Sequence, residues 1–232
     1  MPLYSPSPKQ TQRELVPEGN HQARIYELIE IGTVEGSWMG QPKMNHNIRI
    51  GFEFPTKKFV FNEEKGPQPF VLSREMSLSM SEKANLRKIV DAVEGRKLTD
   101  SEAEGYDVLN LVGKPLLVTV RHTEPNEMGI QYANATTFSS VIEGLTIVPQ
   151  INPSKVLTFS EWNEETFQNL PQFLKDKISS TPEYRYLKNK VSLPEVKVVA
   201  SPEFKGKDKL ELPTVQVSGV NNGEVNVDDI PF

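Results

Sequence analysis

The sequence contains no cysteine, only three histidines and no long run of apolar residues. Without cysteine the chain cannot form a disulfide or a zinc–thiolate site, and we expect a reducing, cytoplasmic setting. A membrane-spanning helix needs roughly 18 consecutive apolar residues, and no such run exists. Residues 1–12 contain three prolines and no apolar core region, so they do not have the character of a signal peptide.

Motifs typical of enzymes are missing as well. His21, His46 and His122 lack the spacing of metal ligands. There is no phosphate-binding Gly-x-x-x-x-Gly-Lys loop and no Gly-x-Ser-x-Gly elbow around a nucleophilic serine. The acidic pairs, such as Glu63–Glu64 and Glu164–Glu165, fall in charged stretches where a solvated surface is expected. We therefore expect a protein that is not an enzyme and that uses no metal or cofactor.

The overall charge gives no sign of a nucleic-acid binder. The 232 residues carry a net charge of −5, with an isoelectric point near 5.4. A chain of this charge can bind nucleic acid only if its cations are concentrated on one face and its acids lie elsewhere. The length suits one large domain, or one domain with extensions.

Composition divides the chain into four parts. Residues 1–17 are rich in Pro, Ser and Gln and predict a flexible arm. Residues 18–148 have the periodicity of strands, and residues 149–190 have that of helices. Residues 191–232 lose this periodicity and predict a linker and a tail. The helical part could pack on the strands or bind a partner.

Alternating apolar residues predict strands at 21–34, 47–54, 70–80, 116–123 and 129–138, with 141–148 as an extension or a sixth strand. The alternation of the first strand fails between Leu28 and Ile31, which predicts a bulge or a bend. Glycine and proline predict a loop over 35–43. Pro55 predicts the end of the second strand, followed by a charged loop over 56–69.

Helices are predicted between the third and fourth strands and after residue 163. The first should begin at an N-cap, Ser81, and stop at Gly95. Thr99 and Glu102 suggest a capping box for a short second helix. Residues 164–180 should be helical, with a break at Pro171.

Three strands, a helix and two strands follow one another in the order of an OB-fold, a five-stranded Greek-key barrel that binds oligonucleotides or oligosaccharides. A three-stranded sheet with a helix in another topology remains open. The predicted class is mainly β, with a helical extension and a tail.

Binding of a single strand without sequence preference requires cations that follow the phosphates and aromatic faces on which bases stack. Arg74 lies in the third predicted strand at a position that alternates in phase with the apolar residues, which suggests a bend or a different phase. Trp38 and Lys43 lie in or beside the first predicted loop. The candidates for contact with DNA are Arg24, Tyr26, Trp38, Lys43, Arg49, Arg74, Arg121 and Tyr132.

The last five residues of the sequence, Asp228, Asp229, Ile230, Pro231 and Phe232, form a second candidate site. An apolar residue beside acids in a polar tail suits a pocket with a basic rim, and proline lowers the cost of ordering it. This segment resembles the acidic tip of bacterial single-stranded DNA-binding (SSB) proteins. The resemblance implies recruitment of replication and recombination proteins, with Pro231 and Phe232 as the anchor.

A second resemblance lies in the body of the chain, over about residues 17–185. It is carried by Pro17-Glu18-Gly19, Leu28 to Thr33, Gly40, Pro42-Lys43, Ile50-Gly51-Phe52-Glu53, Glu82 to Arg87, Leu111 to Pro115 and Tyr132-Ala133-Asn134. In these segments the chain is similar to a family of phage- and prophage-encoded single-stranded DNA-binding proteins with an OB-fold. The resemblance implies a monomer or a dimer in the cytoplasm of a bacterial host.

The expected function is sequence-independent binding and protection of single-stranded DNA, with partners recruited by the tip. We also expect the acidic tip to compete weakly with DNA for the basic surface. One alternative is an adaptor that mimics the SSB tail without coating DNA. Another is a nuclease or other processing enzyme, which would need a carboxylate cluster that binds metal.

Overall fold

The computed structural model describes residues 14–38 and 40–192, which lie in one compact unit. The strands are β1 (Gly19–Trp38), β2 (Gln41–Asn62), β3 (Gly66–Ser77), β4 (Pro115–His122), β5 (Ala133–Ser139) and β6 (Lys155–Leu157). The helices are α1 (Asn85–Glu94), α2 (Asp100–Glu104), α3 (Glu164–Gln168), α4 (Gln172–Ser179) and α5 (Pro182–Ser192). The predicted mainly β class is confirmed.

Five strands form an antiparallel sheet in the order β3-β2-β1-β4-β5, and β6 pairs in parallel with β1. The two edge strands, β3 and β5, approach each other: Arg74 Nη1 of β3 donates to the Ala135 carbonyl of β5 at 2.7 Å. Helix α1 packs against β3, β4 and β5. The predicted order of three strands, a helix and two strands is therefore present.

The main core is built by strict alternation along the strands. Ala23 and Ile25 of β1 are fully buried, and so are Phe52 and Phe54 of β2. Helix α1 covers them with an apolar stripe in which Leu86, Ile89 and Val90 are fully buried. Burial of each such large side chain contributes about 1.5–3 kcal/mol.

A second core lies where β1 changes phase. The pairing with β2 shifts between Ile25 and Glu27 and again between Glu30 and Gly32, which confirms the predicted bulge. Each shift changes the face to which the following residues point. Ile29 and Ile31 thereby enter a separate cluster, completed by Leu157, Phe167, Leu170, Leu174 and Ile178. The helical extension thus packs on the sheet.

The β1–β2 hairpin and the β2–β3 hairpin are both longer than predicted. The predicted loop over 35–43 belongs largely to β1 and β2, where Gly36 pairs with Lys43 and Gly40 takes the positive φ of the turn. Pro55 does not end β2, because a bulge between Phe54 and Lys58 absorbs it. The predicted loop over 56–69 is the outer end of the β2–β3 hairpin.

Three predicted boundaries are wrong for local reasons. Helix α1 is not capped by Ser81, which instead accepts a turn hydrogen bond from Ala84 N; the helix starts at Asn85. Strand β3 ends at Ser77 rather than at residue 80. Strand β5 starts only at Ala133, since the Asn126 side chain holds the preceding residues in a loop by accepting from Met128 N and Ile130 N.

Residues 141–148 form no strand. In the sheet beside them, β1 pairs with β4 from Gly19 to Arg24 and with β2 from Arg24 onward. Side chains of the sheet hold this segment in place. The Gln22 side chain donates to Thr146 O and accepts from Val148 N, and buried Glu53 accepts from Ile151 N and Asn152 N. We call residues 146–152 the strap. The chain then reaches the free edge of β1 and pairs there as β6.

The remaining helical predictions hold. Gly95 ends α1 in the left-handed region, with φ of 70°. Thr99 and Glu102 form the predicted capping box of α2. Pro171 separates α3 from α4, as the N-cap of α4, while α5 extends the helical part beyond the predicted residue 180.

Val16 falls within the predicted flexible arm of residues 1–17, but it is 2% exposed and packs in the main core, so the arm prediction is wrong at this residue. Within residues 14–38 and 40–192, no helix has the length and apolarity that crossing a bilayer requires.

Candidate nucleic-acid interface

An open groove of about 1160 Å³ runs beside β3. Its floor includes Phe70 to Ser73 of β3, and one wall is the β4–β5 loop from Met128 to Tyr132. Leu15 and Val16 border it, and Asn152 and Pro153 bring the end of the strap to it. The groove is therefore built from a sheet face, a long loop and two segments that the sheet holds in place.

Aromatic side chains line this groove from four different places. Tyr132 of the β4–β5 loop is 54% exposed, and Phe61 at the end of β2 is 44% exposed. Tyr26 of β1 is half-buried, and burial, followed by the nearby charge of Glu27, raises its pKa well above the usual value. Its phenol therefore stays protonated at neutral pH. Phe70 is the fourth and is mostly buried.

A row of charged side chains crosses the sheet at the groove; we call it the charge row. Lys177 contacts Glu75, and Arg49 Nη1 lies 3.8 Å from the same carboxylate. Arg49 Nε then lies 3.3 Å from Glu27 Oε1, and Lys155 Nζ lies 3.3 Å from Glu27 Oε2. Three cations thus alternate with two carboxylates, which leaves one excess positive charge. Arg49 and Lys155 line the groove itself.

Gly51 makes this arrangement possible. A Cβ at this position would lie 2.7 Å from Glu27 Cβ and 2.9 Å from Tyr26 Cε1. Only a residue without a side chain lets the side chains of Tyr26 and Glu27 pack directly against this position of β2.

The groove brings together three of the predicted residues, namely Tyr26, Arg49 and Tyr132. Two others bind carbonyls within the protein. Arg24 donates to the Val148 and Gly113 carbonyls, both at 2.9 Å, and so fastens the strap. Arg74 donates to Ala135 and lies 5.9 Å from the ring centre of Phe138.

The other three predicted residues lie away from the groove lining. Lys43 is exposed on the β1–β2 hairpin, and Trp38, whose side chain is not described, pairs with Gln41 near its turn. Arg121 is exposed on β4, opposite Asn134 of β5. Asp228 to Phe232 fall outside the described residues, so the predicted partner site stays a prediction.

The sequence-based choice of residues missed the aromatic end of the β2–β3 hairpin. Phe59 is 40% exposed and Phe61 44%, and their rings meet edge to face at 5.2 Å. Phe61 also packs on Phe70 at 5.2 Å. The signal was present: Phe59-Val60-Phe61 is an apolar triplet inside a charged stretch, which solubility alone does not explain. Lys155 was also missed, since its strand was not predicted.

In residues 14–38 and 40–192, no group of three or more His, Asp or Glu side chains is arranged to hold a metal ion. Comparison with models of protein families and a search among curated proteins both find no match to this chain.

Proposed function

We propose that this chain is an OB-fold protein that binds single-stranded DNA without sequence preference. Two observations support this fold. The strand order, with α1 between β3 and β4, and the approach of β3 to β5 match what a five-stranded Greek-key barrel requires. The groove lies against β3 and the β4–β5 loop, surfaces that OB-folds use for oligonucleotides.

The observation that carries the proposal is the meeting of exposed aromatic rings and cations in one open groove. Tyr132 and Phe61 offer faces on which bases stack, and Arg49 and Lys155 offer charge to phosphates. Stacking contributes about 1–3 kcal/mol per base and depends little on base identity. Since stacking requires unpaired bases, the groove favours single strands over duplexes.

In the same proposal, Asp228 to Phe232 recruit replication or recombination proteins. The support is the sequence of this segment and its resemblance to the SSB tip. The tip would bind a partner while the groove holds DNA, so the two activities are separable by mutation.

The test is a fluorescence-anisotropy titration of a labelled oligo-dT of about 30 nucleotides at two salt concentrations, with duplex of equal length as the control. We expect salt-sensitive, submicromolar binding of the single strand alone. Y132A should weaken it by about 5- to 150-fold, as the loss of one stacked base implies. Absence of binding at low salt would overturn the proposal.

One observation favours a second candidate, an adaptor that carries the tip without coating DNA. Both cations of the groove, Arg49 and Lys155, are already paired with Glu27. If this pairing prevents contact with phosphate, the chain would bind the tip's partners but not DNA. Pull-down by the full chain, with no binding of oligo-dT, would identify this case.

A further inference from the structure

Helix α4 contributes one cation of the charge row, Lys177, and places an aromatic ring, Phe173, beside the row. Leu174 and Ile178 are buried in the second core and fix the rotation of the helix. Phe173 and Lys177 are four residues apart and therefore share one helix face. This face is turned toward β2 and β3: Phe173 lies against Arg49, and Lys177 contacts Glu75.

Phe173 is a largely exposed aromatic residue. Its side chain belongs to neither core, and 57% of the residue is open to solvent. The Arg49 guanidinium lies 5.7 Å from the centre of the ring and holds it by a cation–π contact. The ring is thus fixed from one side while much of its surface stays free.

We propose that Phe173 and Lys177 form a nucleotide-binding site on the helical extension, where a base of single-stranded DNA stacks on Phe173 and the neighbouring phosphate contacts Lys177. The site continues the groove beyond Arg49, which borders both. The inference rests on the proposed function, because it adds a further nucleotide-binding site to the path that DNA would take along the groove.

The chemistry of the surroundings favours nucleic acid as the occupant. Phe173 stands beside Arg49 and Lys177, and Lys155 extends the cations across the sheet. Glu75 and Glu27 lie between these cations and leave one excess positive charge. An aromatic ring beside a net positive row suits a chain in which bases alternate with phosphates.

The test uses the full chain and compares three variants by oligo-dT titration. F173L keeps the apolar bulk but removes the aromatic face, and K177Q removes the charge. Y186L is the matched control, since Tyr186 is also an exposed ring, 69% open, and lies on α5 beside a different cavity. We expect F173L to weaken binding by about 5- to 150-fold. K177Q should reduce the slope of log affinity against log salt by about one, while Y186L should bind like the wild type.

A second readout does not depend on affinity. Photo-cross-linking with an oligonucleotide that carries 5-iodouracil should label the peptide containing Phe173, as well as peptides of the groove. Labelling of groove peptides alone would overturn the inference.

The outcomes separate this inference from the proposed function. If the wild type binds oligo-dT and both F173L and K177Q match it, the site on α4 is refuted and the groove stands. If F173L instead loses only a protein partner, the face is a protein contact and the inference also fails. If the wild type binds no single strand at low salt, both proposals fall. An unchanged urea midpoint excludes misfolding as the cause of any loss.

Discussion

At the scale of single residues, the outer face of the sheet depends on one position without a side chain. Gly51 leaves room for Tyr26 and Glu27, which together set the floor of the groove and the centre of the charge row. Glu27 is 6% exposed and balances two cations, Arg49 and Lys155. Leaving a buried carboxylate unpaired is costly, so these residues depend on one another.

Adding one methyl group should therefore disturb the site. G51A places a Cβ within 3 Å of Glu27 and Tyr26, and we expect it to destabilise the protein by about 1–3 kcal/mol in urea unfolding. G105A is the control, because Gly105 has no heavy atom within 4 Å of an added Cβ and its φ is −94°. Equal stability of the two variants would contradict this account.

The carboxylates of the charge row should also limit the affinity for DNA. E75Q would release Lys177 and remove one of the two carboxylate contacts of Arg49, whose contact with Glu27 remains. We expect it to tighten oligo-dT binding by about two- to fivefold, the contribution of a partly exposed ion pair. E104Q changes the net charge equally at an exposed residue of α2 and should have little effect. Titrations at two salt concentrations would separate local release from overall charge; equal tightening by both variants would refute local release.

At the scale of elements, the sequence predicts the pieces whose signal is local. The alternation in β2 and the box of Thr99 and Glu102 are examples, because each depends on neighbours in the chain. The strap, β6 and the hydrogen bonds from Arg24 to distant carbonyls depend on contacts between segments far apart in the chain, and no local pattern contains those contacts. For the same reason, Tyr26 and Arg49 are predicted from the alternation of their strands and Tyr132 from its place in the predicted hairpin, while Phe61 and Lys155 are not predicted.

The capping box of α2 offers a test by pH. Hydrogen bonds from Arg96 and Thr99 lower the pKa of Glu102 from 4.5 to about 2. A lowered folded-state pKa means that its stabilising effect is complete above about pH 4.5 and is lost as the pH falls toward 2. In an NMR titration, R96A should move the midpoint of Glu102 back toward 4.5. An unchanged midpoint would show that the Arg96 contact is not formed in solution.

At the scale of the whole molecule, a protein of net charge −5 has a charge row with one excess positive charge on one face of its sheet. We expect the acids of Asp228 and Asp229 to compete weakly with DNA for that face. Deletion of residues 228–232 should tighten oligo-dT binding by a few-fold at low salt and less at high salt.

F232A is the matched variant, since it keeps both acids; it should leave DNA affinity unchanged and abolish capture of the tip's partners. Weaker DNA binding after the deletion would show that the tip does not compete with DNA.

The place of β1 in two cores has a consequence for how the protein is made. Ile29 and Ile31 leave the ribosome early, whereas the residues that cover them, Leu157 to Ile178, follow more than a hundred positions later. The main core, on the other side of β1, can be completed by β2 to β5 before the helical extension exists. In that interval the nascent chain carries an uncovered aliphatic stripe, the kind of surface that chaperones bind and that drives aggregation when translation is faster than folding.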